Sequence, residues 1–216
     1  MTVFVLGSQS PARLGVLRNA GIEPVVRVSN VDEDAVAAAL PAGTAPEQIV
    51  IELARAKARD VAATIFAAGS EAAEFPDSIV VGCDSMLLVD GVLQGKPHTA
   101  EVARARWAEM AGRSADLLTG HSVLRIRDGA IVGESADCSS TTVHFAKPEP
   151  AELDAYIASE EPLQVAGAFT LDGRGGWFVD RIDGDPSSVI GIGLPLVRRL
   201  LAEVGVGIAE LWVPVP

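Results

Sequence analysis

Cysteine, aromatic side chains, basic charge and long apolar runs are all scarce in this chain, and each shortage removes a class of protein. Cys83 and Cys138 are the only cysteines, with no CxxC pair. A disulfide framework and a cysteine zinc site are therefore excluded. The three histidines lie too far apart for a local zinc motif, so His98, His121 and His144 read as packing or surface residues and both cysteines as buried thiols. Lysine and arginine number 17 against 29 acidic residues, a formal charge of −12. That balance disfavours a nucleic-acid polymer, whose binding draws on cations that neutralise phosphates. It leaves room for a small phosphate compound, because a few cations in a partly desolvated cleft outweigh distant, salt-screened charge. No apolar run approaches the ~18 residues of a membrane span, and no basic stretch leads into an apolar segment at the N-terminus. The sequence predicts a cytoplasmic protein with no membrane partner.

What the chain does have is core material: 49% of its 216 residues are hydrophobic. A chain of this length buries roughly 70% of its unfolded surface without staples, and no linker interrupts it. One domain over residues 1–216 is expected. Residues 3–6 read as a first strand, and Pro11 opens a helix closed by Gly21. A short strand follows near 25–28, and "VDED" reads as a solvated loop end. Thr44 and Glu47 have capping-box spacing around Pro46, so a helix should begin there and run to about residue 67. "AAGSEAAEFPDS" reads as a surface loop, and "IVVGCDSMLLV" as a strand.

Asp90-Gly91 and Asp128-Gly129 mark hairpin turns, the second between strands 116–127 and 130–145, with a helix starting at Thr99. "EPAELDAYIA" and "LPLVRRLLAEVG" read as helices and "GGWFVDRI" as a strand. The glycines of "LDGRGGWF" suit a hairpin better than a dinucleotide loop, and no GxxxxGK[ST] motif occurs. Hairpins mixed with alternating strands and helices predict a mixed α/β sheet.

Several polar residues depart from these patterns. In "GSQSPAR", Ser10 caps a helix that Pro11 begins, leaving free N–H groups at a positive dipole end. Capping alone accounts for Ser10 and Pro11 but leaves Ser8 and Arg13 over. Stepping by four from Ile49 gives Leu53, Lys57, Val61 and Ile65, an apolar row broken by one ammonium. Lys57 either snorkels past the core or meets an anion at a cleft. Asp84 sits inside an apolar strand, where a carboxylate needs a partner or a metal, and Gly82 before it signals a bulge or close approach. If Glu33 lies near Asp84, the two make an oxygen ligand set for magnesium or manganese. "QGKPH" places Lys96 in a turn, either a surface feature or a positioned cation. "DGDPSSV" is a loop before the last helix, either a simple Asp-Pro turn or a face toward a ligand.

Taken together, "GSQSPARLGVL", "VDE", "ELARAKA", "VVGCDS", "GKP", "YIASEEPLQVAGAF" and "GLPLV" resemble, in order and over nearly the whole chain, the Maf family of nucleoside triphosphate pyrophosphatases. The resemblance implies a mixed, elongated sheet flanked by helices with a deep cleft, related in architecture to inosine triphosphate pyrophosphatases. It implies hydrolysis of an ordinary or modified nucleoside triphosphate to nucleoside monophosphate and pyrophosphate with a divalent metal, a homodimer, and a role in clearing noncanonical nucleotides. The family name reflects an association with inhibition of septum formation.

By motif, Ser8 and Arg13 would contact phosphates with Ser10 beside them, and Glu33 would lie near the metal. Lys57 and Lys96 would be the cleft's cations, and Asp84 the proton acceptor or metal ligand. Ala12, Ser85 and Asp172 match positions tied to base selectivity. Relatives acting on thymidine and uridine nucleotides carry a second arginine, a threonine and a glutamine there, which speaks against a pyrimidine preference. Asp172 and the "DP" before the last helix resemble the branch acting on 7-methylguanosine triphosphate, where Ala12 fits neither branch. Two other classes compete: a metal-dependent nucleotidyltransferase, which would need an acceptor, and a nucleotide-binding regulator of cell division without turnover.

Overall fold

The computed structural model describes residues 2–66 and 75–213. A seven-stranded sheet runs in the order β2-β1-β3-β5-β6-β7, with β4 paired to β3 off this path. β1 (Val3–Leu6) pairs parallel with both β2 (Val25–Val26) and β3 (Asp77–Val89); every other pairing is antiparallel. β4 (Val92–Gln94) follows β3, and β5 (Ser114–Arg127), β6 (Ala130–Phe145) and β7 (Val179–Asp183) complete the sheet. The sheet is mixed and elongated, as the hairpin signals require. Both Asp-Gly turns form with positive φ at each residue, 48° and 83° at Asp90 and Gly91 and 50° and 77° at Asp128 and Gly129. That is the twist a two-residue hairpin needs.

Helices cover both faces. Strand alternation sends Phe4, Leu6, Ile79, Val81 and Cys83 to one face, against α1 (Pro11–Asn19) and α7 (Leu194–Glu203). Val5 and Val80 go to the other, where α3 (Pro46–Ile65) packs through Ala58, Val61, Ala62 and Ile65. The far halves of the long strands form another cluster around Trp107, with α4 (Ala100–Met110) and α5 (Pro150–Ala158). The cleft opens between these halves. Two short helices, α2 (Glu33–Ala39) and α6 (Pro186–Ile190), stand beside it. No helix among the described residues is long and apolar enough to cross a membrane.

Five local expectations need correction. "DGDPSSV" is not only a loop: Asp185 caps a short helix, and Pro186–Ile190 form α6. α3 starts one residue later than the capping-box spacing predicts: Ala45 is the N-cap, with no side-chain cap bond. The Thr44 hydroxyl instead donates to the Pro41 carbonyl at 2.7 Å in the preceding turn. "VDED" is not a loop end, because the Asp32 side chain accepts from the Ala35 N–H and starts α2 at Glu33. In "LDGRGGWF", residues Arg174–Phe178 coil into a 3-10 turn, neither hairpin nor strand, with the Gly175 N–H donated to Glu161 Oε1 at 3.1 Å. Cys138 is half-exposed; only Cys83 is buried. The loop expected at 67–78 falls mostly on residues 67–74, outside the described residues, and β3 already begins at Asp77.

Candidate active site

Two glycines decide how the site is built. Gly82 on β3 and Gly120 on β5 point toward α3, and Gly120 lies directly across from Asp84 in the sheet register. A Cβ on Gly82 would lie 2.3 Å from the Ala54 carbonyl oxygen, and one on Gly120 would lie 2.1 Å from that of Val50. The helix backbone therefore rests directly on the strands, the close approach that glycine in a strand permits. Lys57, one helical turn beyond Leu53, is thereby carried onto the sheet face that holds Asp84.

There the Lys57 ammonium donates to Asp84 Oδ1 at 2.5 Å and to Glu33 Oε1 at 2.8 Å. Lys57 and Asp84 are both buried, while Glu33 is exposed toward the opening. Burial pushes the Asp84 carboxyl above its ordinary range, aided by the negative charge of Glu33 and opposed by Lys57 and Arg13. Burial acts on Glu33 in the same direction, but the bond and charge of Lys57, with Lys96 and Arg13 beyond, outweigh it and hold that carboxyl low. One oxygen, Asp84 Oδ2, is buried with no hydrogen-bond partner. It is an unpartnered acceptor on a residue that lines the cleft.

The turn after β1 supplies the opposite wall. Ser10 caps α1, accepting from the Arg13 N–H at 3.4 Å, and the Ser8 hydroxyl accepts from the Ser10 N–H at 3.2 Å. Arg13 is held on several sides. Its guanidinium donates to the Gly191 and Cys83 carbonyls at 2.8 and 3.0 Å and to the Ser8 and Ser85 hydroxyls at 3.1 and 3.2 Å. It fixes α1 to β3 and to the end of α6 while keeping its charge at the cleft. Lys96 is exposed, but its turn is anchored through the Gly95 carbonyl, which accepts from Arg106 at 2.5 Å and from the Gly167 N–H at 3.2 Å. Lys96 lines the cleft, and its charge acts on Glu33.

Ser8, Ser10, Ala12, Arg13, Glu33, Lys57, Asp84, Ser85, Lys96 and Asp172 all line one cleft of about 490 Å³. Phosphate-contacting candidates gather toward the α1 end, and Asp172 stands exposed on the segment before the 3-10 turn. Sequence reasoning missed Gln164, Phe169, Thr170 and the α6 end Val189–Gly191, which also line it. The Asp-Pro signal at Asp185-Pro186 marked that last segment: Asp185 caps α6, accepting from the Ser187 N–H.

The model of the family described as Maf-like protein matches residues 3–204. This chain belongs to the Maf family. Among its relatives, a protein of Nocardia farcinica named nucleoside triphosphate pyrophosphatase is 74% identical over 98% of this chain and 97% of its own length. Proteins of the same name from Rhodococcus jostii and Mycolicibacterium gilvum are 71% and 56% identical, each over 98% of this chain and over 97% and 99% of their own lengths. The Maf segment thus contains every cleft residue named above. None of the three histidines lines the cleft. His121 is buried and accepts from the Gly193 N–H at 2.8 Å, so burial, with Arg13 nearby, drives its pKa down to about 3. His144 lies outside the cleft between Ser114 and Asp183, at 2.7 and 2.8 Å, and exposed His98 sits at φ 61°.

Proposed function

We propose that this Maf protein hydrolyses a nucleoside triphosphate between its α and β phosphates, releasing nucleoside monophosphate and pyrophosphate. The observation that carries this reading is the Lys57 ammonium shared by Asp84 and Glu33 in the same cleft as Lys96 and the N-terminal turn of α1. Cations clustered with a buried carboxylate suit a polyphosphate chain, and the names of the close relatives support the same reaction.

A water attacks the α-phosphorus, and the bond to the oxygen bridging toward the β-phosphate breaks. Asp84, raised in pKa by burial, takes the water's proton as general base. Negative charge grows on the departing pyrophosphate, where Lys57 and Lys96 offset it and the α1 N-terminus supplies N–H donors. Arg13 holds the Ser8 turn and the α6 end in register with β3.

The donor set fits a hard divalent cation. Among the described residues no cluster of three or more metal-ligating side chains occurs, but magnesium and manganese bind through one or two carboxylates with substrate phosphates and water. Asp84, with its unpartnered Oδ2, and Glu33 would hold the ion. Bound there, it would neutralise phosphate charge and polarise the phosphoryl oxygens.

A panel of ordinary and modified triphosphates with magnesium tests the assignment. Pyrophosphate release without any acceptor, lost in Asp84→Asn and on chelation and regained with magnesium or manganese, is the expected result. Equal hydrolysis by parent and Asp84→Asn, or release dependent on an acceptor, would refute it. Clearance of noncanonical nucleotides by a cytoplasmic homodimer belongs to the same reading; sedimentation and cell fractionation test its assembly and location.

A further inference from the structure

Ser85 and Thr119 face each other across β3 and β5 as direct register partners, with their hydroxyls 3.1 Å apart. Either could donate in isolation, and their surroundings remove the choice. Thr119 is fully buried and its hydroxyl lies 2.9 Å from the Ser188 carbonyl of α6, which can only accept. A threonine hydroxyl carries one proton. That proton belongs to Ser188, so Thr119 must accept from Ser85. Reversing the pair would deprive the buried Ser188 carbonyl of this donor, which costs its desolvation. The Arg13 guanidinium, a donor only, takes a lone pair of Ser85 at 3.2 Å.

The Ser188 end is itself held. Its hydroxyl donates to the Asp185 carbonyl at 2.8 Å and accepts from the Ser139 hydroxyl at 3.1 Å. Ser85 lines the cleft with its proton committed inward, and only a lone pair remains for a ligand. We propose that Thr119 is a positioning residue that fixes Ser85 as a hydrogen-bond acceptor toward the cleft, so that the protein favours triphosphates presenting an N–H or O–H donor there. This inference rests on the triphosphate reading of the cleft and specifies its selectivity. A group offering only an acceptor at that point would face the lone pair of Ser85 and be rejected.

Equilibrium binding, without divalent metal and therefore independent of turnover, tests the relay. The probes are triphosphate pairs differing by one donor: guanosine against inosine, guanosine against N1-methylguanosine, and ribose against 2′-deoxyribose. In the parent, at least one pair should favour the donor-bearing member by about tenfold, the scale of one buried hydrogen bond. Ser85→Ala should remove that preference by weakening the donor-bearing member alone. Thr119→Val, nearly isosteric, frees the Ser85 proton and should shrink the ratio, Thr119→Ser should restore it, and Thr119→Val should have no effect on the ratio in a Ser85→Ala background.

A Thr119→Val ratio equal to the parent's in a folded protein would overturn the relay. So would a Ser85→Ala loss confined to the donor-lacking member, which decides the matter if Thr119→Val does not fold, and so would the absence of any donor preference in the parent. Intact binding preferences with no pyrophosphate release would instead count against the proposed reaction alone.

Discussion

Gly82→Ala isolates the geometry on which the site depends. The added Cβ would meet the Ala54 carbonyl oxygen at 2.3 Å and the Ala58 backbone nitrogen at 2.8 Å, against an ordinary contact of 3.4 Å or more. Both neighbours are helix backbone, so no side chain can swing aside. α3 must retreat by roughly 1 Å. Overpacking of this kind costs about 1–3 kcal/mol, which for a chain of this size lowers Tm by about 2–12 °C. The same retreat lengthens the 2.5 Å contact between Lys57 and Asp84, and misplacement on that scale costs about 100-fold in rate. Gly15→Ala is the matched control, because nothing lies within 4 Å of its Cβ and the change within α1 should stabilise by about 0.5–1 kcal/mol. Calorimetry and pyrophosphate release on both variants are the assays. If Gly82→Ala keeps the parent's Tm and kcat/KM, the argument that backbone contact sets the Lys57–Asp84 geometry is wrong.

Other consequences are as direct. With Asp84 raised above the ordinary carboxylate range by burial, activity should rise with pH through a limb lying above about 4. Kinetics across pH 4–8 would show that limb, and a limb at the ordinary carboxylate value would contradict the role. His121, neutral in the fold with a pKa near 3, binds its proton only in the unfolded chain between about pH 6.5 and 3. Its contribution is present at neutral pH and is lost as pH falls, at about 1.4 kcal/mol per pH unit inside that window; urea titrations should show a smaller acid-side slope in His121→Gln. Arg13→Lys keeps the charge but cannot reach Gly191, Cys83, Ser8 and Ser85 together. It should lower Tm and raise KM; unchanged values of both would remove Arg13 from its positioning role.

Lys57 and Asp84 were legible because each is a charge where periodicity demands an apolar residue, and burial makes such an exception costly unless it is paired. Gly82 carried a similar signal, and Gly120 carried one that went unread. Thr44 misled because its hydroxyl had a local competitor, the Pro41 carbonyl, that no spacing rule weighs. The run GGWF looked extended, yet Gly175 is fastened to Glu161 and Thr170, so tertiary bonds choose the 3-10 turn. Thr119 had no signature at all, and Ser188 had only its place in the Asp-Pro segment. They are 69 positions apart and acquire meaning only through the sheet register and the docking of α6.

The Arg13 bond to Gly191 spans 178 positions, which has a bearing on biosynthesis. The ribosome delivers the first wall of the cleft 178 residues before its fastening point. An emerging chain therefore holds an unfinished pocket until α6 leaves the exit tunnel, and a truncation before residue 185 should yield a nascent product unable to retain nucleotide.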